Sequence, residues 1–361
     1  MPLSLPHELI EKKLELLVNA SEKILNDPEV HNIKGIKTAA GDDPERYRYW
    51  EWPQGVGLFG MWKMFERYKD TRYLAIIKQF YNTHLAKPLP ARTVNTTAPM
   101  LALSYLAEYE NDTERLNFCI DWADTIMHSF YRTPEGGLQH TVSGSLNMGQ
   151  LWDDTLFMAV LFLANAGRIL RRNDYLEEVA YQFLLHAKYL TDTTTGLWYH
   201  GFTFEGRHNF SKALWGRGNA WVTAAIPVFL EIARPAPPVF RFLQSALEQQ
   251  VVALLPLQEK DGMFHTLLTD PSSYVETSAT SGFGYGILKG IHDRILPEKY
   301  LPIAEAAVRA TINNIDDEGV VLQVSGGTPI VSLDAYKTIP LRPMPYGQSL
   351  ALLLLGEALL K

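Results

Sequence analysis

The stretch Gln150-Leu151-Trp152-Asp153-Asp154-Thr155-Leu156-Phe157-Met158 decides how the chain is read. Two adjacent carboxylates stand at the start of an almost wholly apolar run that reaches Ala166. Asp153, Asp154 or Thr155 can each cap a helix, because a short side-chain oxygen accepts the orphan N–H groups of the first turn. The run behind them predicts a helix buried on most sides. An acid pair at the mouth of such a helix is costly unless it is bonded or used. Two readings therefore stand side by side: a plain cap with an exposed neighbour, or a working acid.

Outward from this stretch, helical segments of two kinds alternate. Amphipathic segments, with apolar residues at spacings of three and four, cover Leu14–Leu25, Tyr73–His84, Leu116–Phe130, Tyr175–Leu190, Val239–Leu255 and Tyr300–Ile315. Apolar segments rich in small residues cover Gly55–Phe65, Thr97–Tyr109, Asp154–Ile169, Asn219–Ile232, Thr277–Ile291 and Gly347–Leu360. The linkers repeat too. A glycine followed by apolar or aromatic residues recurs about every sixty residues, at Gly137, Gly196, Gly262 and Gly319. A helix-stopping role at C′ is the expectation for each of these glycines.

Six hairpins of outer helix, loop and inner helix predict an all-α (α/α)6 barrel, a six-hairpin toroid formed by one domain over residues 1–361. An open solenoid is the competing arrangement. Closure is favoured because the inner helices are apolar nearly all round. Arg234-Pro235-Ala236-Pro237-Pro238 reads as a helix stop inside that domain, since the repeat continues beyond it.

Composition narrows the function classes. The formal net charge is -7 and no basic block occurs, so nucleic acid and anionic membrane are not expected partners. The single Cys119 excludes an intrachain disulfide framework and reads as a small core residue. Glu8, Glu11, Lys12 and Lys13 break any signal-like stretch after Met1–Pro6, and no run reaches the roughly 18 apolar residues of a membrane span. A cytoplasmic protein is the expectation.

Polar and aromatic residues gather just before the inner helices, which a toroid would place on one face. They include Trp50, Trp52, Gln54, Asn95, His140, Trp152, Asp153, Asp154, His200, Arg207, His208, Asn209, Trp215, Arg217, Asn219, Trp221, His265, Glu276, Tyr346 and Gln348. Tryptophan faces beside hydrogen-bonding groups suit a sugar ring. Helix N-termini and arginine suit a carboxylate. Together they point to an acidic sugar. Bland alternatives exist: tryptophans as core, His208 and Asn209 as turn caps, and Arg217 paired to Glu276 or to the 153–154 acids. No His-x-x-x-His or cysteine spacing supports a metal, and neither a dinucleotide fingerprint nor a nucleophile elbow is present.

Asn95-Thr96-Thr97-Ala98-Pro99-Met100, the 151–158 stretch, Thr195-Gly196-Leu197-Trp198-Tyr199-His200-Gly201, Gly206-Arg207-His208-Asn209, Trp215-Gly216-Arg217-Gly218-Asn219-Ala220-Trp221 and Tyr274-Val275-Glu276-Thr277-Ser278-Ala279-Thr280 together resemble family-105 glycoside hydrolases, the unsaturated rhamnogalacturonyl hydrolases. The resemblance runs in order over nearly the whole chain, and it implies the same (α/α)6 barrel. It also implies hydration of the C4=C5 double bond of a 4,5-unsaturated uronic acid at the non-reducing end of a lyase-generated oligosaccharide. By the same resemblance, neither a metal nor an organic cofactor is expected to take part. By the resemblance Asp154 is the proton donor, with a raised pKa expected, and Asp153 is its rival. Arg217 is the first choice for the uronate carboxylate, with Trp215, Gly218 and Trp221 in the same block. His200, His140, Trp152, Trp52, Asn95, Arg207 and His208 complete the expected substrate-binding set. One departure stands out: no acid occurs near the start of the second inner helix, where Asn95 takes the place. The expected partner is a small oligosaccharide, and the expected state a monomer or weak homodimer. A conventional inverting glycosidase using Asp154 and Glu276, an epimerase using His200 and His265, and a non-catalytic carbohydrate-binding barrel are the rival readings.

Overall fold

The computed structural model describes residues 5–27 and 37–360; the first four residues of the Met1–Pro6 stretch lie outside it. Among the described residues, twelve long helices alternate as expected. The outer ones are α1 (His7–Leu25), α3 (Thr71–His84), α5 (Thr113–His128), α7 (Asn173–Leu190), α9 (Pro237–Leu254) and α11 (Leu301–Asn313). The inner ones are α2 (Trp52–Tyr68), α4 (Val94–Glu110), α6 (Leu161–Leu170, entered through a π-helical turn at Leu156–Val160), α8 (Gly216–Ala233), α10 (Thr277–His292) and α13 (Pro345–Ala358). A four-residue helix, α12 (Leu333–Tyr336), precedes the last.

The two kinds of helix differ for the reason the sequence suggests. Outer α3 buries Tyr73, Ile77, Phe80, Tyr81 and His84, a single stripe at helical spacing. Every residue of inner α13 is buried. Each inner helix packs on the next, and α13 packs back on α2, so the ring is closed. Closure needs near contact of backbones. A Cβ on Gly55 of α2 would lie 2.4 Å from the Ala98 carbonyl carbon of α4, and one on Gly286 of α10 would lie 2.3 Å from the Thr223 carbonyl oxygen of α8.

The connections at the two ends of the ring are unequal. The first three inner helices pass to outer ones through two-residue links, Lys69-Asp70, Asn111-Asp112 and Arg171-Arg172. In each the first residue is left-handed, with φ of 57°, 53° and 54°. Asp70 and Asp112 then cap the next helix by accepting from Arg72 N (2.9 Å) and Arg115 N (3.0 Å). Outer helices return to inner ones through long loops, such as 129–153, 191–215 and 314–344. All the catalytic candidates lie at this end.

The repeated glycines do a different job from the one expected. Gly196, Gly262 and Gly319 have φ of 88°, 91° and 83°, but they sit in loop turns beyond the helix ends, not at C′. Each turn is pressed onto the backbone of the following outer helix. Added Cβ atoms would lie 3.2 Å from Gln249 O of α9, 2.3 Å from Ala306 O of α11 and 2.0 Å from Leu16 O of α1. The glycine repeat is therefore a seat for the next hairpin.

Two short antiparallel ribbons order the long loops: β1 (Gln150–Trp152) with β2 (Gly201–Thr203), and β3 (Phe264–His265) with β4 (Val275–Glu276). The first pairs Trp152 with Gly201, and Asp153 N donates to His200 O at 3.0 Å. This ladder brings the acid pair to His200. Among the described residues, no helix is long and apolar enough to cross a membrane.

Gly286→Ala is expected to destabilise the protein by about 1–3 kcal/mol through overpacking against α8. Gly327→Ala, which meets nothing within 4 Å, is expected to leave stability unchanged. Thermal unfolding followed by circular dichroism compares the two.

Candidate active site

The mouth formed by the long loops holds a cavity of about 460 Å³. Its wall contains Trp52, Asn95, His140, Trp152, Asp154, Trp215 and Arg217 from the expected set. It also contains Val142 to Ser145, Gly327 to Pro329, Arg342 and Met344. Asp154 is the sole carboxylate among these lining residues, against two arginines.

Asp154 lies in the first turn of the third inner helix, just before the π-helical turn. Such turns open a helix locally and are frequent at functional sites. Neither acid caps the helix. Asp154 Oδ2 lies 3.2 Å from His200 Nε2, and its side chain is 14% exposed. Thr155 Oγ1 bonds His140 Nδ1 at 2.8 Å instead of a backbone amide. Asp153 is fully buried, and neither of its oxygens has a hydrogen-bond partner of good geometry. Gly218 makes room for it, since a Cβ there would lie 2.2 Å from Asp153 Oδ2.

Burial pushes the Asp153 carboxyl far above the usual range, and the neighbouring Asp154 charge pushes it the same way. Asp154 is also buried, but the hydrogen bond and charge of His200 and the charge of His140 outweigh burial and hold it below its ordinary value. The raised pKa expected for Asp154 thus falls on Asp153 in the free protein. The shared environment thus separates the two acids, with Asp153 favoured in its neutral form and Asp154 in its ionised form. Burial lowers His200 as well, and lowers His140 to about 4, so both imidazoles are neutral at pH 7. Asp153, Asp154 and His200 bring three possible ligand atoms within 4.8 Å of one another. The Asp154–His200 contact is a hydrogen bond, and the group reads as an acid–base cluster.

Aromatic faces line the rest. Trp152 stacks on His140 (4.4 Å, 8°) and meets His200 edge-on. Trp52 stacks on Tyr346 (4.5 Å). Trp215 packs on His200 (4.2 Å). Arg217 is fully buried, with its guanidinium over Trp215 and Tyr346 at 4.7 and 4.8 Å. It pairs with neither Glu276 nor the acid pair. Its Nη atoms donate to Ser325 O and Gly326 O, both at 2.7 Å, and to Thr328 Oγ1 at 3.1 Å, while Nε has no partner. Arg217 thus holds the 325–328 loop against the cavity and leaves its charge unmatched by a carboxylate.

Other expected residues fall outside the lining. His200, Gly218 and Asp153 lie directly beneath it. Trp221 is core, packed between Phe157, Trp52 and Tyr346. Arg207 and His208 are exposed on a turn, where Arg207 covers Tyr189 and His208 Nδ1 accepts from Phe210 N. His265 is engaged by Ser273 O and Glu259. Glu276 is fully buried and caps α10, accepting from Ser278 N, Ser278 Oγ and Ala279 N at 2.6–2.7 Å. Asn219 and Gln348 bind loop backbone at Trp198 and at Gly319 and Val321. Tyr336, whose hydroxyl lies 2.6 Å from His200 Nδ1, is a site residue that the sequence reading does not include.

A closed α/α toroid with one acid in an aromatic, cationic mouth defines a carbohydrate-acting barrel. Comparison with known proteins makes this specific. The model of Glycosyl Hydrolase Family 88 matches residues 31–360. The chain is 31% identical to the unsaturated rhamnogalacturonyl hydrolase YesR of Bacillus subtilis over 314 residues, 86% of this chain and 90% of that protein. A possible member of the GH105 family from Salmonella enterica serovar Paratyphi A superposes with a TM-score of 0.92 at 38% identity, covering 99% of this chain and 95% of that one. Another, from Klebsiella pneumoniae, gives 0.87 at 41% identity, covering 98% and 92%. The chain belongs to Glycosyl Hydrolase Family 88 as that model defines it, and the resemblance to family 105 is borne out by these relatives.

The Asp153 environment has a thermodynamic signature. A raised folded pKa contributes stability below the unfolded value near 4 that is lost as pH rises toward the folded value. The melting-temperature difference between Asp153→Asn and wild type, mutant minus wild type, is therefore expected to increase from pH 5 to pH 8. A difference independent of pH would contradict a neutral buried Asp153.

Proposed function

We propose that this chain removes 4,5-unsaturated uronic acid from the non-reducing end of lyase-generated oligosaccharides, by hydration of the C4=C5 vinyl ether. The unsaturated rhamnogalacturonan disaccharide is the substrate it fits best. The observation that carries this reading is the single lining carboxylate, Asp154, set among aromatic faces with two arginines. A unit that must be apolar on its faces and anionic at one end matches that wall.

In the proposed scheme the protonated form of Asp154 donates its proton to C4, and positive charge develops at C5 and the ring oxygen. The pair with Asp153 supplies that proton, and the uronate carboxylate arriving beside it favours the protonated form. Asp154, now ionised, accepts a proton from water as the water oxygen bonds C5. The resulting hemiketal opens and releases the aglycone alcohol. Trp52, Trp152 and Trp215 supply the sugar-facing surface, Asn95 and His140 the polar contacts, and Arg217 the positive field for the carboxylate. The scheme needs neither metal nor organic cofactor. We take residues 1–361 as one catalytic domain, acting in the cytoplasm as a monomer or weak homodimer on a small oligosaccharide, with no nucleic-acid or membrane partner.

A conventional inverting hydrolysis needs two carboxylates about 6.5–9.5 Å apart across the scissile bond. Glu276, its proposed second acid, is committed to capping α10. An epimerase pair of His200 and His265 is not supported either, since neither ring lines the cavity.

Ultraviolet absorbance of the conjugated double bond is expected to decay when wild type meets the unsaturated disaccharide. Asp154→Asn is expected to slow this by roughly 10²–10⁴-fold. Persistence of the absorbance with wild type on several unsaturated uronides would overturn the reading.

A further inference from the structure

His200 is held from both sides beneath the cavity. Its Nε2 faces Asp154 Oδ2 at 3.2 Å, and its Nδ1 faces the Tyr336 hydroxyl at 2.6 Å. The two groups behind Asp154 are shielded: Tyr336 is fully buried and His200 is 1% exposed. Tyr336 comes from α12, a short helix inside the long 314–344 loop. It is seated in a small apolar cluster with Ala213, Trp215 and Leu267, against which Val331 packs. It does not line the cavity, so it acts on the reaction only through another residue.

A neutral imidazole has one N–H and one acceptor nitrogen, and the bond made by one nitrogen fixes the role of the other. When Asp154 is ionised, Nε2 must carry the hydrogen, and Nδ1 must then accept. The Tyr336 O–H supplies that donor. When Asp154 carries its proton, its carbonyl-type oxygen still accepts from Nε2–H, so one tautomer serves both states of the acid. A phenyl ring in that place would offer Nδ1 no donor. The other groups facing Asp154, His200 or Tyr336 are Asp153 on the same turn, His140 from the preceding loop and Arg217 from α8. None of these reaches Nδ1.

We infer that Tyr336 is a positioning residue whose hydroxyl donates to Nδ1 and so holds His200 as the Nε2–H tautomer facing Asp154 while Asp154 gives up and regains its proton. The inference rests on the reading of Asp154 as proton donor. No bond to Tyr336 is made or broken; one proton leaves Asp154 for C4 and one returns from water.

The test compares Tyr336→Phe with Val331→Ala, which loosens the same apolar seat and keeps the hydroxyl. Tyr336→Phe is expected to lower kcat roughly ten- to a hundredfold, the effect of stranding one buried polar nitrogen, with KM within about twofold. Weaker support for the Asp154 carboxylate raises the pKa of the pair, so the basic limb of kcat/KM moves to higher pH. Val331→Ala is expected to keep the wild-type profile. The ¹⁵N shifts of His200, assigned against His200→Gln, are expected to show an Nε2–H tautomer in wild type at neutral pH and a mixed population in Tyr336→Phe. Wild-type kcat, pH limb and His200 shifts in Tyr336→Phe would overturn the inference. So would an equal loss in Val331→Ala, which would make the role one of packing. If wild type leaves the unsaturated disaccharide untouched, the functional reading fails, and the ¹⁵N shifts still decide the tautomer by themselves.

Discussion

Six helices buried on every side can share one core only where their backbones nearly touch. Gly55 against Ala98 and Gly286 against Thr223 are such places, and a methyl group at either would collide with main chain. Because the ring is tight, its axis is filled with side chains, and no room for chemistry remains there. Chemistry is confined to an end. The end is chosen by the links: two-residue turns with left-handed Lys69, Asn111 and Arg171 close one mouth, while the long returns furnish the other with residues.

At that mouth the decisive step is backbone pairing. The β1–β2 ladder carries Trp152 to Gly201 and places Asp153 N on His200 O, so two residues 46 apart in sequence share a hydrogen bond through Asp154. Burial then sorts the two neighbouring carboxyls into different roles. The one with a histidine beside it is favoured as a carboxylate, and the one away from solvent and beside that carboxylate is favoured as an acid. Arg217 adds a charge that is held by carbonyl oxygens and not neutralised by a carboxylate.

Much of this was legible in the sequence. The contrast between one-striped and wholly apolar helices is a local property, and it survives into the structure at α3 and α13. The acid pair stood out because carboxylates before an apolar run demand an explanation. The glycine period was visible but its meaning was not, since the backbone that Gly319 touches belongs to α1, some three hundred residues away. For the same reason Tyr336, Ser143 to Ser145 and the 327–329 segment were invisible as site residues: they lie in irregular loops, and only tertiary folding brings them to the cavity. Trp221 and Glu276 were overread, because a motif fixes residue identity and leaves the direction of a side chain open. One turns into the core and the other into the amides of its own helix.

The seat of Gly319 on α1 has a bearing on how the chain is made. The first helix rests mainly on the last inner helix and on the turn before it, with a smaller contact to α2, so most of its apolar stripe lacks cover until those segments exist. During synthesis the earlier hairpins can stack on one another as they emerge, but the opening helix must wait for the final fifty or so residues. The N-terminal segment is therefore the last to dock, and a chain cut short near its end would expose apolar surface at its beginning.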